Sequence, residues 1–406
     1  MKILYLDVLC KSGSTGKIVY ELYRRARAEG HEAAVCYGRG AKVEEENIFK
    51  FGLDWETRLH ALLTRLTGLT GCFSYFSTRR LLRYIDRFKP DIIHLHEPHA
   101  YFLNLKPFFT YISRHNIPLV YTFHCEFAYT GKCGYSYDCS RFETGCGSCP
   151  RLREYPKTLG PDFTSAMHAQ KKALLCGLDM HIVTPSQWLA DRAKRSFLRD
   201  CDMSVIRNGI DSENVFYPRS GEECERLKKL HGIKDEKVVL AVAPCFISDK
   251  RKGGEYVIKL AERMQQRNVR FVMVGVDGDI EPEPSDLIAL GRTENQHELA
   301  CWYSLADAFL ICSDMENLPT TCLEAVCCGT GVVGFEGGGT AETAPAPLGL
   351  FCSYGDIDAL EEKLLQMLQD PPDAALFEEM RRLYSSENMY REYSKLYKTF
   401  LEGKQK

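Results

Sequence analysis

At 406 residues the chain is long for one domain, and its 45% of hydrophobic residues is enough for ordinary cores. A formal net charge of -3 gives no overall attraction to nucleic acid, and no run of about 18 apolar residues is present that could span a membrane. The apolar run at 1–8 is too short for a signal peptide, so the 18 cysteines indicate reduced thiols in the cytosol.

Short apolar runs alternate with helical patterns along the chain. Nine strands are predicted, at 2–8, 32–37, 91–95, 118–123, 180–184, 238–243, 270–275, 308–312 and 331–335. Such alternation is typical of α/β proteins, in which helices cover both faces of parallel sheets. The pattern changes between Pro185 and Tyr217, which favours two doubly wound domains. We place them at 1–195 and 196–385, followed by an aromatic-rich helix at 386–406.

The segment after the first predicted strand carries GSTGK at 13–17. It is not a Walker loop, because Lys11 stands where that motif has its first glycine and Ile18 where it has Ser or Thr. A tight turn between the first strand and the first helix fits the segment better, and it includes Gly16.

Residues 55–89 contain two helical patterns in which arginines are mixed with Leu, Phe and Tyr. The arginines are Arg58, Arg65, Arg79, Arg80, Arg83 and Arg87. A basic amphipathic surface of this kind can lie on anionic lipid. The alternative is an ordinary solvated helix face over a core.

Histidines occur at the ends of two predicted strands. The stretch HLHEPH at 94–99 raises the question of a metal, because His94 and His96 share one face of a strand. Strand-end histidines more often form local hydrogen bonds, so we expect no catalytic metal there. His124 directly follows the strand at 118–123, a position where histidines are structural about as often as functional.

Four cysteines follow, namely Cys133, Cys139, Cys146 and Cys149. The last two form a Cys-x-x-Cys pair, and four thiolates satisfy the tetrahedral preference of zinc. Because the spacing of the first pair is irregular, two interpretations stay open. Either the four thiolates hold a structural zinc that braces a loop, or they are free buried thiols.

Two glutamates eight positions apart are the most informative feature of the second half. Glu316 follows the strand at 308–312, and Glu324 lies in the next predicted helix, which begins at Pro319 and is followed by Gly329 as C-cap. One carboxylate at a strand end and another along the next helix can grip two parts of a long polar ligand. Exposed glutamates in a first helical turn are also common, because they suit the helix dipole.

Two further loops at strand ends suit a diphosphate. The basic run KRKGG at 250–254 follows the strand at 238–243, and GFEGGGTAE at 334–342 overlaps the end of the strand at 331–335. Successive glycines let a backbone approach a phosphate closely and leave N–H groups directed at it. A solvated charge run would explain the lysines but not their position.

Together these motifs resemble those of the retaining nucleotide-sugar glycosyltransferases of family 4. The resemblance spans nearly the whole chain and is carried by the glutamate pair, Lys252-Gly253, the glycine loop ending in Glu342, NGID at 208–211 and SGSTG at 12–16. It implies the GT-B fold, which has two facing doubly wound parallel-sheet domains and a C-terminal helix that crosses back onto the first. Residues 1–195 would bind the acceptor and carry a Cys-rich insertion at about 125–155, and 196–385 would bind the nucleotide sugar.

The resemblance also implies roles for individual residues. Glu324 would accept hydrogen bonds from the ribose hydroxyls, and Glu316 would face the hydroxyls of the transferred sugar. Asn317 and Leu318 would offer backbone N–H groups to phosphate or sugar. Lys252 would hold the diphosphate and stabilise the leaving group, a contribution of roughly 3–4 kcal/mol in a dry site.

Three more positions follow from the same resemblance. His124 would stand against the donor sugar, and Gly16 and Gly338 would help to bind the donor. The family usually has an arginine shortly after the strand at 238–243, but APCF follows that strand here. Arg251, or its neighbour Lys250, would take its place.

The sequence thus predicts a glycosyltransferase that moves a hexose-type sugar from a nucleoside-diphosphate sugar to a glycan or lipid-linked acceptor in cell-surface polysaccharide synthesis. The sequence offers no nucleophile in an assured position, and the resemblance implies same-face attack, with the departing phosphate oxygen taking the acceptor proton. The alternatives are a nucleotide-sugar epimerase or phosphorylase of the same fold, and a non-catalytic zinc-stabilised binding module. We expect a cytoplasmic protein, in peripheral contact with the inner face of an anionic membrane, with no catalytic metal and no nucleic-acid partner.

Overall fold

In the computed structural model, which describes residues 1–281 and 284–403, the chain divides into two compact units. The first unit contains Met1–Arg207 and the segment from Tyr390 onward, and the second is Asn208–Met389. The boundary therefore lies after Arg207 and not after residue 195. The reason is the strand Met203–Val205, which pairs with the preceding strand and so belongs to the first sheet.

The first unit is built on a seven-stranded sheet in which all neighbouring strands are parallel. Its strands are β1 (Lys2–Asp7), β2 (Glu32–Tyr37), β3 (Ile48–Lys50), β4 (Ile92–Leu95), β5 (Leu119–Thr122), β6 (Met180–Thr184) and β7 (Met203–Val205). Their order is β3-β2-β1-β4-β5-β6-β7. The winding reverses between β1 and β4, and open α/β sheets bind ligands beyond the carboxyl ends of the strands at such a reversal.

The second unit contains a six-stranded parallel sheet of order β10-β9-β8-β11-β12-β13. Its strands are β8 (Lys237–Val242), β9 (Val269–Val274), β10 (Leu287–Leu290), β11 (Ala308–Ile311), β12 (Val332–Phe335) and β13 (Gly349–Cys352). Here the winding reverses between β8 and β11. The predicted architecture of two doubly wound parallel sheets is confirmed.

Helices connect the strands in both units. In the first they are α1 (Gly13–Ala28), α2 (Asp54–Thr67), α3 (Tyr75–Phe88), α4 (Leu105–Arg114), α5 (Thr164–Leu175) and α6 (Gln187–Lys194). In the second they are α7 (Glu222–Leu230), α8 (Gly254–Arg263), α9 (Gln296–Leu305), α10 (Thr320–Cys327), α11 (Ile357–Gln369) and α12 (Ala374–Leu383). Within 1–281 and 284–403, no helix has both the length and the hydropathy needed to cross a bilayer.

The residues of β8 explain why both faces of the second sheet are covered. Val238 and Leu240 pack in one buried cluster, whereas Val239 and Ala241 pack in another. Successive side chains of a strand point to opposite faces. A strand buried on both faces reads as a continuous apolar run, which is why the sequence predicts it well.

The last helix, α13 (Ser386–Glu402), returns to the first unit. The hydroxyl of Tyr393 lies 2.9 Å from that of Thr122, and the hydroxyl of Tyr397 lies 2.6 Å from His94 Nδ1. All four side chains are buried. The predicted crossover helix is therefore confirmed, and its aromatic residues are explained by this packing.

Candidate functional site

Lys252 and Glu316 form an ion pair at the reversal point of the second sheet. Lys252 lies in a short 3₁₀ turn after β8, and Glu316 follows β11. The Lys252 Nζ donates to Glu316 Oε1 at 2.6 Å, and the side chains are 20% and 18% exposed. The structure thus brings together two of the three predicted catalytic residues.

The loops that carry this pair are bonded to each other. The Asp314 backbone N–H donates to the Arg251 carbonyl at 2.9 Å. Gly253 has φ +67°, and a Cβ there would lie 2.1 Å from the carbonyl oxygen of Cys312. Only glycine tolerates both conditions, so the glycine after Lys252 lets the two loops touch.

The glycine loop packs against the Glu316 loop. A Cβ on Gly338 would lie 2.1 Å from the Glu316 carbonyl oxygen, and one on Gly337 would lie 2.1 Å from that of Asp314. The Gly339 N–H donates to the Glu316 carbonyl at 2.9 Å. These glycines are therefore required for loop packing, and the role of Gly338 towards phosphate stays a prediction.

Glu324 is buried on α10, with 7% exposure. Its Oε2 accepts a hydrogen bond from Tyr303 at 2.9 Å, and burial, together with this neighbouring carboxylate, raises the pKa of that tyrosine well above its usual value. The helix begins at Thr320 and not at Pro319, because Pro319 has ψ 120° and forms the N-cap. At the other end Cys328 is the C-cap, and Gly329, with φ +88°, follows it.

The other predicted donor-binding residues of the second unit lie around the same strand ends. Asn317 and Leu318 are each only 4% exposed, and the Leu318 carbonyl accepts a 3.5 Å hydrogen bond from the Asn208 side chain. The Arg251 guanidinium is half-exposed and pairs with Asp249, its Nη2 lying 2.6 Å from Oδ2. The structure therefore holds this arginine on a neighbouring carboxylate.

Gly16 does not lie in a tight turn. Helix α1 already begins at Gly13, because Ser12 is the extended N-cap with φ −121° and ψ 154°. Gly16 thus belongs to the first helical turn, and its carbonyl accepts a 3.1 Å bond from the Lys11 N–H. A Cβ there would lie 3.0 Å from Leu9, so close packing accounts for this glycine.

Histidines form a buried group at the carboxyl ends of β4 and β5. His94 contacts the hydroxyls of Tyr397 through Nδ1 and of Thr122 through Nε2, at 2.6 and 2.7 Å. His96 Nδ1 lies 2.9 Å from His124 Nε2, with the two rings stacked. Local hydrogen bonding, which the sequence favours for His94 and His96, is what the structure shows.

Burial keeps this group uncharged at neutral pH. It lowers the pKa of His124 to about 4, and it lowers the pKa of His94 and of His96 well below 6.5. A bond between two neutral imidazoles needs one ring to donate and the other to accept. His124 is therefore a neutral hydrogen-bonding group at neutral pH.

The four cysteines of the predicted zinc site line one small cavity of about 20 Å³. Cys133 shares a hydrogen bond with Cys149, which lowers the pKa of Cys149 to about 6. The Gly131 N–H donates to Cys146 Sγ at 3.2 Å. Among the described residues, no three of these sulfurs, that of Cys139 included, come within 4.8 Å of one another. The four cysteines therefore line one cavity, but their sulfur atoms are not spaced as ligands of one metal ion.

Two buried side chains, one at the end of β1 and one on α9, are not among the predicted site residues. Asp7 ends β1, accepts hydrogen bonds from Thr15 Oγ1 and the Glu97 N–H at 3.1 Å each, and has its pKa raised to about 7, chiefly by burial. Tyr303 is the partner of Glu324. An acid at the end of an otherwise apolar strand was a readable signal for Asp7, whereas nothing local marks Tyr303.

Comparison with known proteins places this geometry in a family. Residues 15–214 match the model of Glycosyltransferase Family 4, and residues 225–385 match that of the Glycosyl transferases group 1. The chain is a family 4 glycosyltransferase. The two matches fall on the two units, so the assignment of this glycosyltransferase rests on both halves of the chain.

Two curated relatives are similar in sequence to this chain over most of its length. WcaC of Escherichia coli (strain K12), named as a colanic acid biosynthesis glycosyl transferase, is 25% identical over 98% of this chain and 99% of its own. The alpha-monoglucosyldiacylglycerol synthase of Acholeplasma laidlawii is 24% identical over 76% of this chain and 73% of its own. A transferase enzyme is therefore confirmed, against the alternative of a non-catalytic binding module.

Solved structures confirm the GT-B fold of this glycosyltransferase. Sucrose-phosphate synthase from Thermosynechococcus elongatus superposes with a TM-score of 0.73 at 18% identity, over 99% of this chain and 100% of that one. Anabaena HepE in complex with UDP-glucose gives 0.68 at 15% identity, over 98% and 100%. At these identities the similarity shows the fold alone.

Proposed function

We propose that this glycosyltransferase moves a sugar from a nucleoside-diphosphate sugar to a hydroxyl of a glycan or lipid-linked acceptor, with retention of configuration, in cell-surface polysaccharide or glycolipid synthesis. The Lys252–Glu316 ion pair at the reversal point of the second sheet carries the proposal. The UDP-glucose bound to HepE supports the class of donor, and the relation to WcaC supports the class of product.

The ion pair supplies the two kinds of group that such a donor needs. Lys252 offers a cation to the diphosphate, and Glu316 offers an acceptor to the hydroxyls of the sugar. Each group holds the other while no donor is bound, and both side chains are partly exposed, so a ligand can reach them. Donor binding exchanges this contact for one with phosphate and one with sugar.

The remaining roles extend the same arrangement. Glu324 accepts hydrogen bonds from the ribose, while Asn317, Leu318 and Gly338 contribute backbone groups. Arg251 replaces the missing family arginine, which requires it to leave Asp249 for the diphosphate. The departing phosphate oxygen takes the acceptor proton on the same face of the sugar, and Lys252 stabilises its charge by roughly 3–4 kcal/mol. The roles of His124 and Gly16 stay predictions from the family resemblance.

Thermal unfolding with a panel of nucleoside diphosphates and their sugars tests the donor site. A ligand of the folded state at about a hundredfold excess over its Kd stabilises the protein by roughly 2.7 kcal/mol. We expect Glu324→Ala to lose this shift for the preferred nucleotide. Glu362→Ala, which removes an exposed carboxylate on α11, is the matched control and keeps it. An undiminished shift in Glu324→Ala would show the ribose assignment to be wrong.

The cysteine cavity is proposed to hold a structural zinc. Two buried lysines brace the surrounding loop. Lys171 donates to the carbonyls of Phe127 and Thr130, and Lys132 donates to those of Arg151, Leu152 and Glu154. Four thiolates around Zn²⁺ carry a net charge of about −2, which two nearby ammonium groups offset. The hydrogen bond from the Gly131 N–H to Cys146 Sγ is of the kind that stabilises and orients a thiolate ligand of a metal.

Metal analysis of the purified chain tests the zinc site. We expect bound zinc that decreases by one ion per chain in the double variant Cys146→Ser and Cys149→Ser. Cys201→Ser, which changes a partly exposed thiol elsewhere in the first unit, is the control. Equal zinc in the double variant and the control would leave free thiols as the correct interpretation.

Helix α2 supports a membrane contact because its polar face points inward. Its buried side chains are Glu56, Thr57, His60 and Thr64, and its large exposed ones, at 44–55%, are Trp55, Leu59, Leu62 and Leu66. The Glu56 carboxylate accepts the N–H groups of Phe76 and Ser77 at 2.8 and 2.7 Å, and His60 Nδ1 lies 2.8 Å from Ser74 Oγ. These bonds fix the orientation of α2, whereas α3 buries Leu81, Ile85 and Phe88 in the core and fits the alternative of an ordinary solvated face.

The surface around α2 combines apolar and cationic groups. Tyr75 and Phe76, at the start of α3, add exposed rings, and that of Phe76 lies 6.0 Å from Trp55. The same two helices carry exposed arginines at 58, 65 and 79. An apolar helix face with basic residues beside it is typical of elements that lie in the interface of an anionic membrane. We therefore propose peripheral attachment to the inner, cytoplasmic face of the cell membrane.

Flotation with phosphatidylglycerol vesicles tests this attachment. We expect the chain to float with these vesicles and much less with neutral phosphatidylcholine. The double variant Leu59→Glu and Leu62→Glu should remain at the bottom. Leu230→Glu, at a 72% exposed leucine of the second unit, is the control and should still float. Recovery of no wild-type protein with the anionic vesicles would contradict the proposal.

A further inference from the structure

Glu97, His99 and Cys125 bring three kinds of donor to one point in the first unit. A carboxylate oxygen, a ring nitrogen and the thiol sulfur all lie within 4.8 Å of one another. In the described part of the chain this is the only group of three His, Cys, Asp or Glu residues that meets this spacing. Glu97 is 7% and Cys125 is 8% exposed, and the side chain of His99 is 20% exposed.

The fold holds these residues at the carboxyl ends of β4 and β5, next to the reversal point of the first sheet. Glu97 and His99 follow β4, and Cys125 follows the neighbouring parallel strand β5. The Glu97 N–H is bonded to Asp7 Oδ1 at 3.1 Å, so its loop is tied to the end of β1. The Glu126 N–H, directly after Cys125, donates to the Gly134 carbonyl at 2.7 Å. Both loops are therefore anchored by backbone bonds.

An ion pair alone does not account for this group. The Glu97 carboxylate contacts His99 Nε2, while Nδ1 of the same ring is buried without a hydrogen-bond partner. Such a pair leaves one ring nitrogen unsatisfied and does not explain why the Cys125 thiol is hydrogen-bonded to both Glu97 and His99. Carboxylate, imidazole and thiolate are, in contrast, the three ligand types that Zn²⁺ takes in proteins, within 2.0–2.3 Å.

We propose that Glu97, His99 and Cys125 bind one divalent transition-metal ion with the preferences of Zn²⁺. Three protein ligands leave a fourth position for water or for a hydroxyl of a bound molecule. The ion would also fix the segment that carries His124, the residue before Cys125. This site is separate from the four-cysteine cavity and departs from the expectation that the carboxyl ends of these strands hold no metal.

Cobalt(II) titration of the full-length chain tests the site, because a Co–thiolate bond gives a charge-transfer absorption in the near ultraviolet. The starting protein carries Cys146→Ser and Cys149→Ser and is freed of metal with a chelator. We expect one Co²⁺ per chain with this absorption. Adding Cys125→Ser should remove the absorption and weaken binding by at least about tenfold. Adding Cys201→Ser instead should change neither.

Two further measurements distinguish a metal site from a buried ion pair beside a thiol. Glu97→Gln should weaken Co²⁺ binding while keeping the thiolate absorption, since only the oxygen ligand changes. If the double cysteine variant does not fold, the wild type and Cys125→Ser are compared for bound zinc, and the variant should hold one ion fewer. No thiolate absorption, absorption that survives Cys125→Ser, or equal zinc in that comparison would reduce the group to a buried ion pair beside a thiol.

Discussion

The two sheets reverse their winding at equivalent places, but their strand ends carry different chemistry. In the first unit, between β1 and β4, the side chains are buried, and His94 is hydrogen-bonded at both ring nitrogens. In the second unit, between β8 and β11, Lys252 and Glu316 are oppositely charged, partly exposed and bonded to each other. The same topology therefore supports a buried hydrogen-bonded network in one unit and a partly exposed ion pair in the other.

This difference assigns different tasks to the two strand ends. A buried polar group costs free energy unless it is hydrogen-bonded, so the network around His94 is part of what keeps the first unit folded. A partly exposed ion pair contributes little to stability. Its groups are available to a charged ligand. Mutations in the network around His94 should mainly lower stability, and mutations of Lys252 or Glu316 should mainly lower activity.

Replacing Lys252 by alanine should have the largest effect on activity. Loss of one charge donor from a partly buried site lowers kcat by about 10²–10³, or roughly 3–4 kcal/mol. The free energy of unfolding should change by less than about 1 kcal/mol, because the pair with Glu316 is partly exposed. Steady-state transfer and urea unfolding check both values, with Lys259→Ala on α8 as control. A large loss of stability with little loss of kcat would show that the Lys252–Glu316 pair has a structural role and not a catalytic one.

Acidification should unfold the first unit through its histidines. Burial lowers the pKa of His94 well below 6.5, so the unfolded chain takes up a proton that the folded chain excludes. The stability is thus complete above about pH 6.5 and is lost as the pH falls below it, by about 1.4 kcal/mol for each pH unit. Tyr5, His96, Tyr393 and Tyr397 face this ring, and none of them is charged at neutral pH.

Urea unfolding of wild type and His94→Gln between about pH 7 and 5 measures this effect. The variant should be less stable at pH 7, and its stability should fall less on acidification. Parallel pH curves for the two proteins would show that His94 does not titrate on unfolding.

The sequence predicts the sheets better than the sites. All nine predicted strands are confirmed, because each is an apolar run whose residues are mostly buried. The missed strands β3, β7, β10 and β13 are the edge strands of the two sheets and are only partly buried, so the apolar pattern that marks the other strands is weaker in them. Glu316 and Lys252 were predicted because each follows a strand, and the structure brings them together. The inward polar face of α2 could not be predicted, because it depends on bonds from Glu56 and His60 to a different helix.

Removing one hydroxyl from the first network should have a smaller effect than removing a histidine. Tyr397→Phe deletes the partner of His94 Nδ1 and leaves this buried nitrogen unsatisfied, at a cost of about 1–3 kcal/mol in the free energy of unfolding. The Kd for the donor nucleotide should not change, since the second unit is untouched. Urea unfolding and calorimetry measure the two quantities, and Tyr384→Phe, a buried tyrosine of the second unit, provides a comparison of similar size.

Tyr303→Phe applies the same deletion to the second unit, where the effect should appear in binding. The Tyr303 hydroxyl holds Glu324 Oε2, and without it the carboxylate is less well positioned for the ribose. A hydrogen bond to a charged group contributes about 1.5 kcal/mol, so donor Kd should rise by roughly tenfold. Tyr354→Phe, at a 44% exposed tyrosine, is the control and should leave Kd unchanged. An unchanged Kd in Tyr303→Phe would mean that Glu324 is part of the core and that the donor is held by Lys252 and Glu316 without it.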